Sequence, residues 1–284
     1  MAYGIADPDR LGSTPIPGGR RLGWAEWGPP DGVPVLFCPG AATGRTLGFG
    51  AGLLGPARLI SVDRPGLGAS DPAPGRTLAD AATDLAALCD ARGLTGVRVA
   101  GFSQGGPFAL ACAAAGWPVA VALVAATDEL ATAAGLAPGV AAMVEAVRAD
   151  PDAAERHFAG WGDPDGMWQR IVAMSGARDR AVYTDPAFAR AYRAAMAHAF
   201  TQGPAGYARD TVLASARWPF DPATIRMPVD VWYGADDTSP VHSPDLGATL
   251  AARIPGARRH VVPDAGGALL WTHAGPILDT LLAR

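Results

Sequence analysis

Six short apolar runs, each ending in glycine or a polar turn, constrain the fold of this chain more than any other feature. They are VPVLFC (33–38), ARLISVD (57–63), VRVAGFS (97–103), VAVALVAA (119–126), PVDVWYG (228–234) and RRHVVP (258–263). Near-continuous apolar runs of this length suit strands buried on both faces of a sheet. Helical patterns stand between them. In TLADAATDLAALCDARG (77–93), Leu78, Ala81, Ala82, Leu85 and Leu88 recur at spacings of three and four, and Gly93 closes the segment. Such alternation predicts an α/β fold whose mostly parallel sheet is flanked by helices on both faces. The N-terminal STPIPGGRRLGWAEWG reads as a hairpin turning at Gly18-Gly19.

The rhythm stops from about residue 128 to 224. That stretch holds helical patterns such as AAMVEAVRAD and DPAFARAYRAAMAHAF, with several tryptophans and many prolines, but no clear strand. The βαβ alternation resumes at MPVDVWYG. The expected organisation is therefore a core of residues 1–127 and 225–284, interrupted by an inserted helical lid over 128–224. With 284 residues, 49% hydrophobic and 18% charged, the chain can bury a sizeable core.

Several function classes drop out. The longest apolar run, 119–126, is well short of the ~20 residues of a membrane span, and no basic, apolar and cleavable leader opens the sequence. Cys38, Cys89 and Cys112 are scattered and odd in number, so neither a disulfide framework nor a zinc site is expected, and a reduced, cytoplasmic setting fits best. A net charge of -4 gives no reason to expect nucleic acid. No P-loop is present, GLGAS does not reproduce a dinucleotide fingerprint, and five dispersed histidines give no metal cluster. Neither a cofactor nor a metal is expected.

VRVAGFSQGGPFALACAAA carries the chemistry. A strand runs into Gly101-Phe102-Ser103-Gln104-Gly105 and an alanine-rich helix follows at once. Glycines on either side of Ser103 permit a sharp strand-to-helix turn that projects its hydroxyl from the sheet edge. The backbone N–H of Gln104 then opens the helix and faces a developing oxyanion. Pro107 falls in the first turn, where its missing N–H sacrifices little.

This constellation resembles the α/β-hydrolase family, over nearly the whole chain. VPVLFCPGAATG looks like the family's strand and loop, with Pro39-Gly40 where a His-Gly pair is usual, and the resemblance makes Ala41 N–H the second oxyanion donor. SVDRPGLGAS (61–70) matches a recurrent family segment through Asp63, Arg64, Pro65, Gly66, Gly68 and Ser70. IRMPVDVWYGADDTSPV resembles the segment that ends in the triad acid, and Gly234 followed by Asp237 makes Asp237 the preferred acid. Pro240 comes one residue early, which leaves Asp236 as a lesser candidate. A second family arrangement places the acid near Asp128, ranked third.

The resemblance also implies a histidine after the last strand. In VVPDAGGALLWTH (261–273) the family's Gly-His pair is replaced by Gly266-Gly267, so the position expected to hold the base, Gly267, has no side chain. A serine hydroxyl needs a base within hydrogen-bond reach. Three accounts stand side by side. His273 supplies the imidazole, although Leu270, His273, Ile277 and Leu281 share one apolar stripe. Alternatively the chain has diverged toward cofactor-free chemistry such as cyclisation, dehydration or elimination, or toward silent binding. Or Gly267 is an introduced substitution. His157 and His198 reach the serine only by an unusual fold-over, His242 reads as structural or at the pocket rim, and His260 begins a strand.

Trp161, Trp168, Tyr183, Phe188, Tyr192, Phe200, Tyr207 and Trp218 fall in the inserted region, with Met143, Met167, Met174 and Met196. Singly they read as packing residues; together they imply that some face a cavity. The expectation is a serine-hydrolase-like protein acting on a small or medium apolar ester, lactone or related acyl compound, with impaired or rearranged general-base catalysis.

Overall fold

A computed structural model describes residues 2–284. An antiparallel N-terminal hairpin comes first, β1 (Arg10–Pro15) and β2 (Arg21–Trp27), turning through Gly18 and Gly19 at φ 86° and 81°. That positive φ is the region glycine enters without a Cβ clash. The strands that follow are β3 (Val33–Cys38), β4 (Ala57–Val62), β5 (Arg98–Phe102), β6 (Ala120–Val124), β7 (Val229–Gly234) and β8 (Arg258–Val262). All eight join one sheet in the order β1-β2-β4-β3-β5-β6-β7-β8. From β4 through β8 every pairing is parallel.

The sheet splits two cores by residue parity, as a pleated strand requires. Val35, Phe37, Ala100, Phe102, Ala122 and Val124 face one core, which also holds Ile277, Leu278 and Leu281. Leu36, Cys38, Val99, Val121 and Leu123 face the other. That second face is covered by α1 (Leu78–Ala91) and α2 (Gly105–Ala114). Thr77 starts α1 with a capping box: its hydroxyl accepts from Asp80 N–H while the Asp80 carboxylate accepts from Thr77 N–H.

Between β6 and β7 lie six helices: α3 (Pro138–Ala149), α4 (Pro151–Ala159), α5 (Pro164–Met174), α6 (Ala177–Tyr183), α7 (Pro186–Ala199) and α8 (Ala205–Ser215). Proline occupies the first turn of α3, α4, α5 and α7, and aspartates 150, 163 and 185 cap α4, α5 and α7. The prolines that interrupt the apolar rhythm thus start helices. After β7 come α9 (Ala248–Arg253), then β8, α10 (Leu269–Thr272) and α11 (Ala274–Leu282). Among the described residues, no helix is long and apolar enough to cross a membrane.

Candidate active site

Ser103 sits between β5 and α2 at φ 49°, a conformation costly for a side chain bearing a Cβ. Its neighbours hold it there. A Cβ on Gly105 would strike the Cys38 carbonyl, and one on Gly101 would come within 2.7 Å of Ala109 Cβ. Ser103 N–H donates to Val124 O, and its own carbonyl accepts from Gly106 and Thr127. The close approach of β5, β3 and α2 therefore needs both glycines, and the turn lifts the Ser103 side chain above the sheet.

The imidazole that meets this hydroxyl belongs to His242. Its Nε2 lies 2.9 Å from Ser103 Oγ and its Nδ1 lies 2.7 Å from Asp237 Oδ2. Neither side chain sees much water: the His242 side chain is 8% exposed and that of Asp237 1%. An ionised carboxylate can only accept, so Nδ1 carries the proton and Nε2 is free to accept from the serine. The other Asp237 oxygen accepts from Ser239 N–H at 3.0 Å. Asp237 and His242 thus share one loop, between β7 and α9, and Ser103 faces it from β5.

This corrects two expectations. His273 is not the ring beside Ser103: it ends α10 and begins α11, its Nδ1 lies 2.9 Å from Thr272 Oγ1, and it is not among the residues lining the cavity. The helix breaks there, which turns His273 off the apolar stripe that Leu270, Ile277 and Leu281 bury. Nor is His242 a rim residue. A Cβ placed on Gly267 would lie 2.9 Å from Asp237 Oδ1 and 3.1 Å from His242 Cε1. The space that a side chain at 267 would enter is taken by the ring of His242, delivered from the opposite loop. One sequence signal pointed to it: His242 follows Asp237 by five residues on the same loop.

The other histidines are engaged elsewhere. His198 Nε2 faces Asp63 Oδ2 at 3.0 Å, and Asp63 also accepts from Arg45 and Ala69 N–H, so Asp63 shapes its loop. His260 bonds Asp230 at 2.8 Å and stacks on Trp232, and His157 packs edge-on against Trp161. Asp236 is exposed and pairs with Arg178. Asp128 is buried, accepts from Glu129 N–H at 2.7 Å and lies 3.0 Å from Ser243 Oγ; burial pushes its carboxyl up. Neither carboxylate bonds His242.

The Ala41 and Gln104 N–H groups have no protein acceptor among the described residues. Both residues line the same cavity as Ser103 and His242. Arg64 fixes the Ala41 loop by donating to Pro39 O at 2.5 Å and Gly40 O at 3.1 Å. The cavity, about 190 Å³, lies between the C-terminal ends of the strands and the inserted helices. Met143, Trp161, Met167, Ile171 and Met174 line it together with Tyr183, Tyr192 and Tyr207. Phe188, Phe200 and Trp218 pack in the cores instead. Burial raises the Tyr192 hydroxyl to about 12 and pushes that of Tyr183 well up, so neither ionises at neutral pH.

No metal-ligating cluster is found among the described residues. The three cysteines are buried and unpaired, with burial pushing the Cys38 and Cys89 thiols up to about 12. They are inert packing residues at neutral pH.

The sequence matches the model of the alpha/beta hydrolase family over residues 35–280. No curated protein matches it. Among solved structures, the enol-lactonase from Burkholderia xenovorans LB400 is 20% identical with a TM-score of 0.69, covering 96% of this chain and 98% of that one. The esterase RhEst1 from Rhodococcus sp. ECU1013 is 21% identical with a TM-score of 0.64, covering 95% and 99%. A bromoperoxidase from Bacillus anthracis is 20% identical with a TM-score of 0.68, covering 96% and 99%. At these identities the likeness is one of fold.

Proposed function

Since this chain belongs to the alpha/beta hydrolase family, we propose that it hydrolyses small or medium apolar esters or lactones through Ser103, with His242 as general base and Asp237 as the acid that orients it. One observation carries the reading: His242 bridges Ser103 Oγ and Asp237 at 2.9 and 2.7 Å. That geometry removes the reason for expecting impaired proton transfer, and with it the main motive for a silent or non-hydrolytic reading.

The steps follow from the contacts. His242 Nε2 takes the Ser103 hydroxyl proton as Oγ bonds to the acyl carbon, and the carbonyl π electrons move onto oxygen. Ala41 and Gln104 N–H receive that oxyanion. The resulting imidazolium is stabilised by Asp237 and returns its proton to the leaving alkoxide as the ester C–O bond breaks. Water then repeats the sequence on the acyl-serine and frees the acid. The helices between β6 and β7 act as the lid, and their methionines give an adaptable apolar wall. Esterase and lactonase names among the structural neighbours agree with this class of substrate.

The test is turnover of p-nitrophenyl butyrate together with labelling of Ser103 by an organophosphonate. Ser103→Ala and His242→Ala should each lower kcat/KM by about 10³-fold or more. His273→Ala should leave it within about twofold, as expected of a side chain away from the reacting atoms. Full activity in the His242 variant would overturn the assignment.

A further inference from the structure

One buried carboxylate at the cavity has no part in these steps. Asp179, on α6, is 4% exposed and lines the cavity with Gly267 and His242. Each of its oxygens accepts one backbone N–H from the facing loop: Oδ2 from Gly267 at 2.9 Å and Oδ1 from Ala268 at 2.8 Å. The loop is shaped to receive it, because a Cβ on Gly266 would strike Asp179 Oδ1. Burial pushes the Asp179 carboxyl up, and the two N–H groups pull it back toward the ionised form. A carboxylate withdrawn from water in this way is costly to the fold, so packing alone gives no reason for an acid here.

The backbone that Asp179 grips is also a wall of the imidazole slot. Residue 267 stands close enough to Asp237 and His242 that its missing Cβ would touch both. Two consecutive glycines have the widest conformational freedom of any dipeptide and no side chain to lock them in place. Their position has to be imposed from outside the loop. Resting on the reading of His242 as the base, we propose that Asp179 is a positioning residue: it fixes the Gly266–Ala268 backbone so that the His242 ring stays aligned between Asp237 and Ser103. Gly266 is bare to admit the carboxylate and Gly267 is bare to admit the imidazole.

The competing role is simple attachment of α6 to the core. Its neighbour Arg178 provides the control, since it ties the same helix to Asp236 at 2.5 Å and Asp264 at 2.7 Å without touching the Gly267 or Ala268 amides. All three of those side chains are at least half exposed, and exposed pairs contribute little.

The experiment compares Asp179→Ala, Asp179→Asn and Arg178→Ala, each checked for folding by thermal melting. Misplacing a catalytic group by an ångström can cost about a hundredfold. Asp179→Ala should therefore lower kcat for p-nitrophenyl butyrate by about tenfold or more, with KM moving less than about threefold. Phosphonate labelling of Ser103 should slow in parallel. Asp179→Asn keeps one acceptor and should fall between, and Arg178→Ala should stay within about twofold of the parent. Proton NMR of the resting protein supplies a readout independent of turnover: the low-field Nδ1–H resonance of His242, identified by its loss in His242→Ala, should broaden or vanish in Asp179→Ala. Unchanged kcat and an unchanged resonance in a folded Asp179 variant would overturn the proposal. So would equal losses in the Asp179 and Arg178 variants carried by KM, which is the signature of attachment alone. Should the alanine variant fail to fold, the asparagine variant decides by the same criteria. A parent protein that neither turns over the ester nor labels at Ser103 would sink the hydrolase reading, while the resonance would still report on Asp179.

Discussion

At the scale of single residues, the slot beside Asp237 can be approached from two backbone positions, and this chain fills it from His242. The Gly267 Cβ direction points at the same place, and Gly267 is absent from the positive-φ residues, so a side chain there meets no backbone strain. Two rings cannot share the space. Gly267→His alone should overpack the slot, lowering stability by about 1–3 kcal/mol and cutting kcat. Combined with His242→Ala the crowding ends, and the new imidazole can bond Asp237. The double variant should regain about tenfold or more of the kcat lost in His242→Ala. Its test is burst kinetics with a nitrophenyl ester; a double variant no faster than His242→Ala would mean that position 267 cannot present a ring to Ser103.

At the scale of elements, strands and the serine turn were legible because both are set by local pattern. Near-continuous apolar runs place β3 through β8 within two residues of their ends, and Gly101 and Gly105 announce the turn directly. His242 was not legible in the same way, because its partnership with Ser103 spans 139 residues and depends on which of two neighbouring loops aims a side chain into one slot. Asp128 was visible only as a candidate acid; its place is at Ser243, next to His242. Ser243 Oγ lies 3.0 Å from Asp128 Oδ2 and 2.9 Å from Asp245 Oδ1, and accepts Gly247 N–H. One hydroxyl proton cannot serve two carboxylates. Burial pushes Asp128 up, whereas for Asp245 burial is outweighed by hydrogen bonds from Thr249, Ser243 and Ala248 that hold it down. Of the two carboxyls sharing Ser243, Asp128 is therefore the one that binds a proton more readily. The sign follows by linkage. A carboxyl raised on folding makes the native state bind the proton more tightly than the unfolded chain does. Stability is then greatest below the unfolded value and declines as pH rises through the folded one. Asp179 is raised too and adds to the same slope. Asp128→Asn removes the titration, so its urea midpoint should fall less steeply than that of the parent as pH rises above the ordinary carboxylate range. Parallel slopes would show that the Asp128 carboxyl is not raised on folding.

At the scale of the whole molecule, the inserted helices have to stay in register with a site built on the sheet, and one buried carboxylate links the two. Asp210 on α8 is fully buried; it takes Arg64 Nε at 2.6 Å on one oxygen and Arg76 on the other. Arg64 also holds the carbonyls of Pro39 and Gly40, directly before Ala41. The insertion, the loop after β4 and the loop carrying a proposed oxyanion donor therefore meet at one charge. Such a network is weak evidence for stability in itself, but breaking it strands buried cations. Asp210→Ala should cost about 3–5 kcal/mol in urea unfolding. It should also lower kcat, because an Arg64 without its counter-charge no longer holds Ala41 N–H in place, and a whole oxyanion donor is worth about 10²–10³ in kcat. Replacing the three charges together, as Arg64→Met, Arg76→Met and Asp210→Leu, separates the two effects. Well-packed apolar side chains should restore most of the stability, yet kcat should stay low because the Pro39 and Gly40 carbonyls have lost their donor. A triple variant that recovered both stability and kcat would show that Arg64 serves the fold alone, and that the Ala41 loop keeps its place without it.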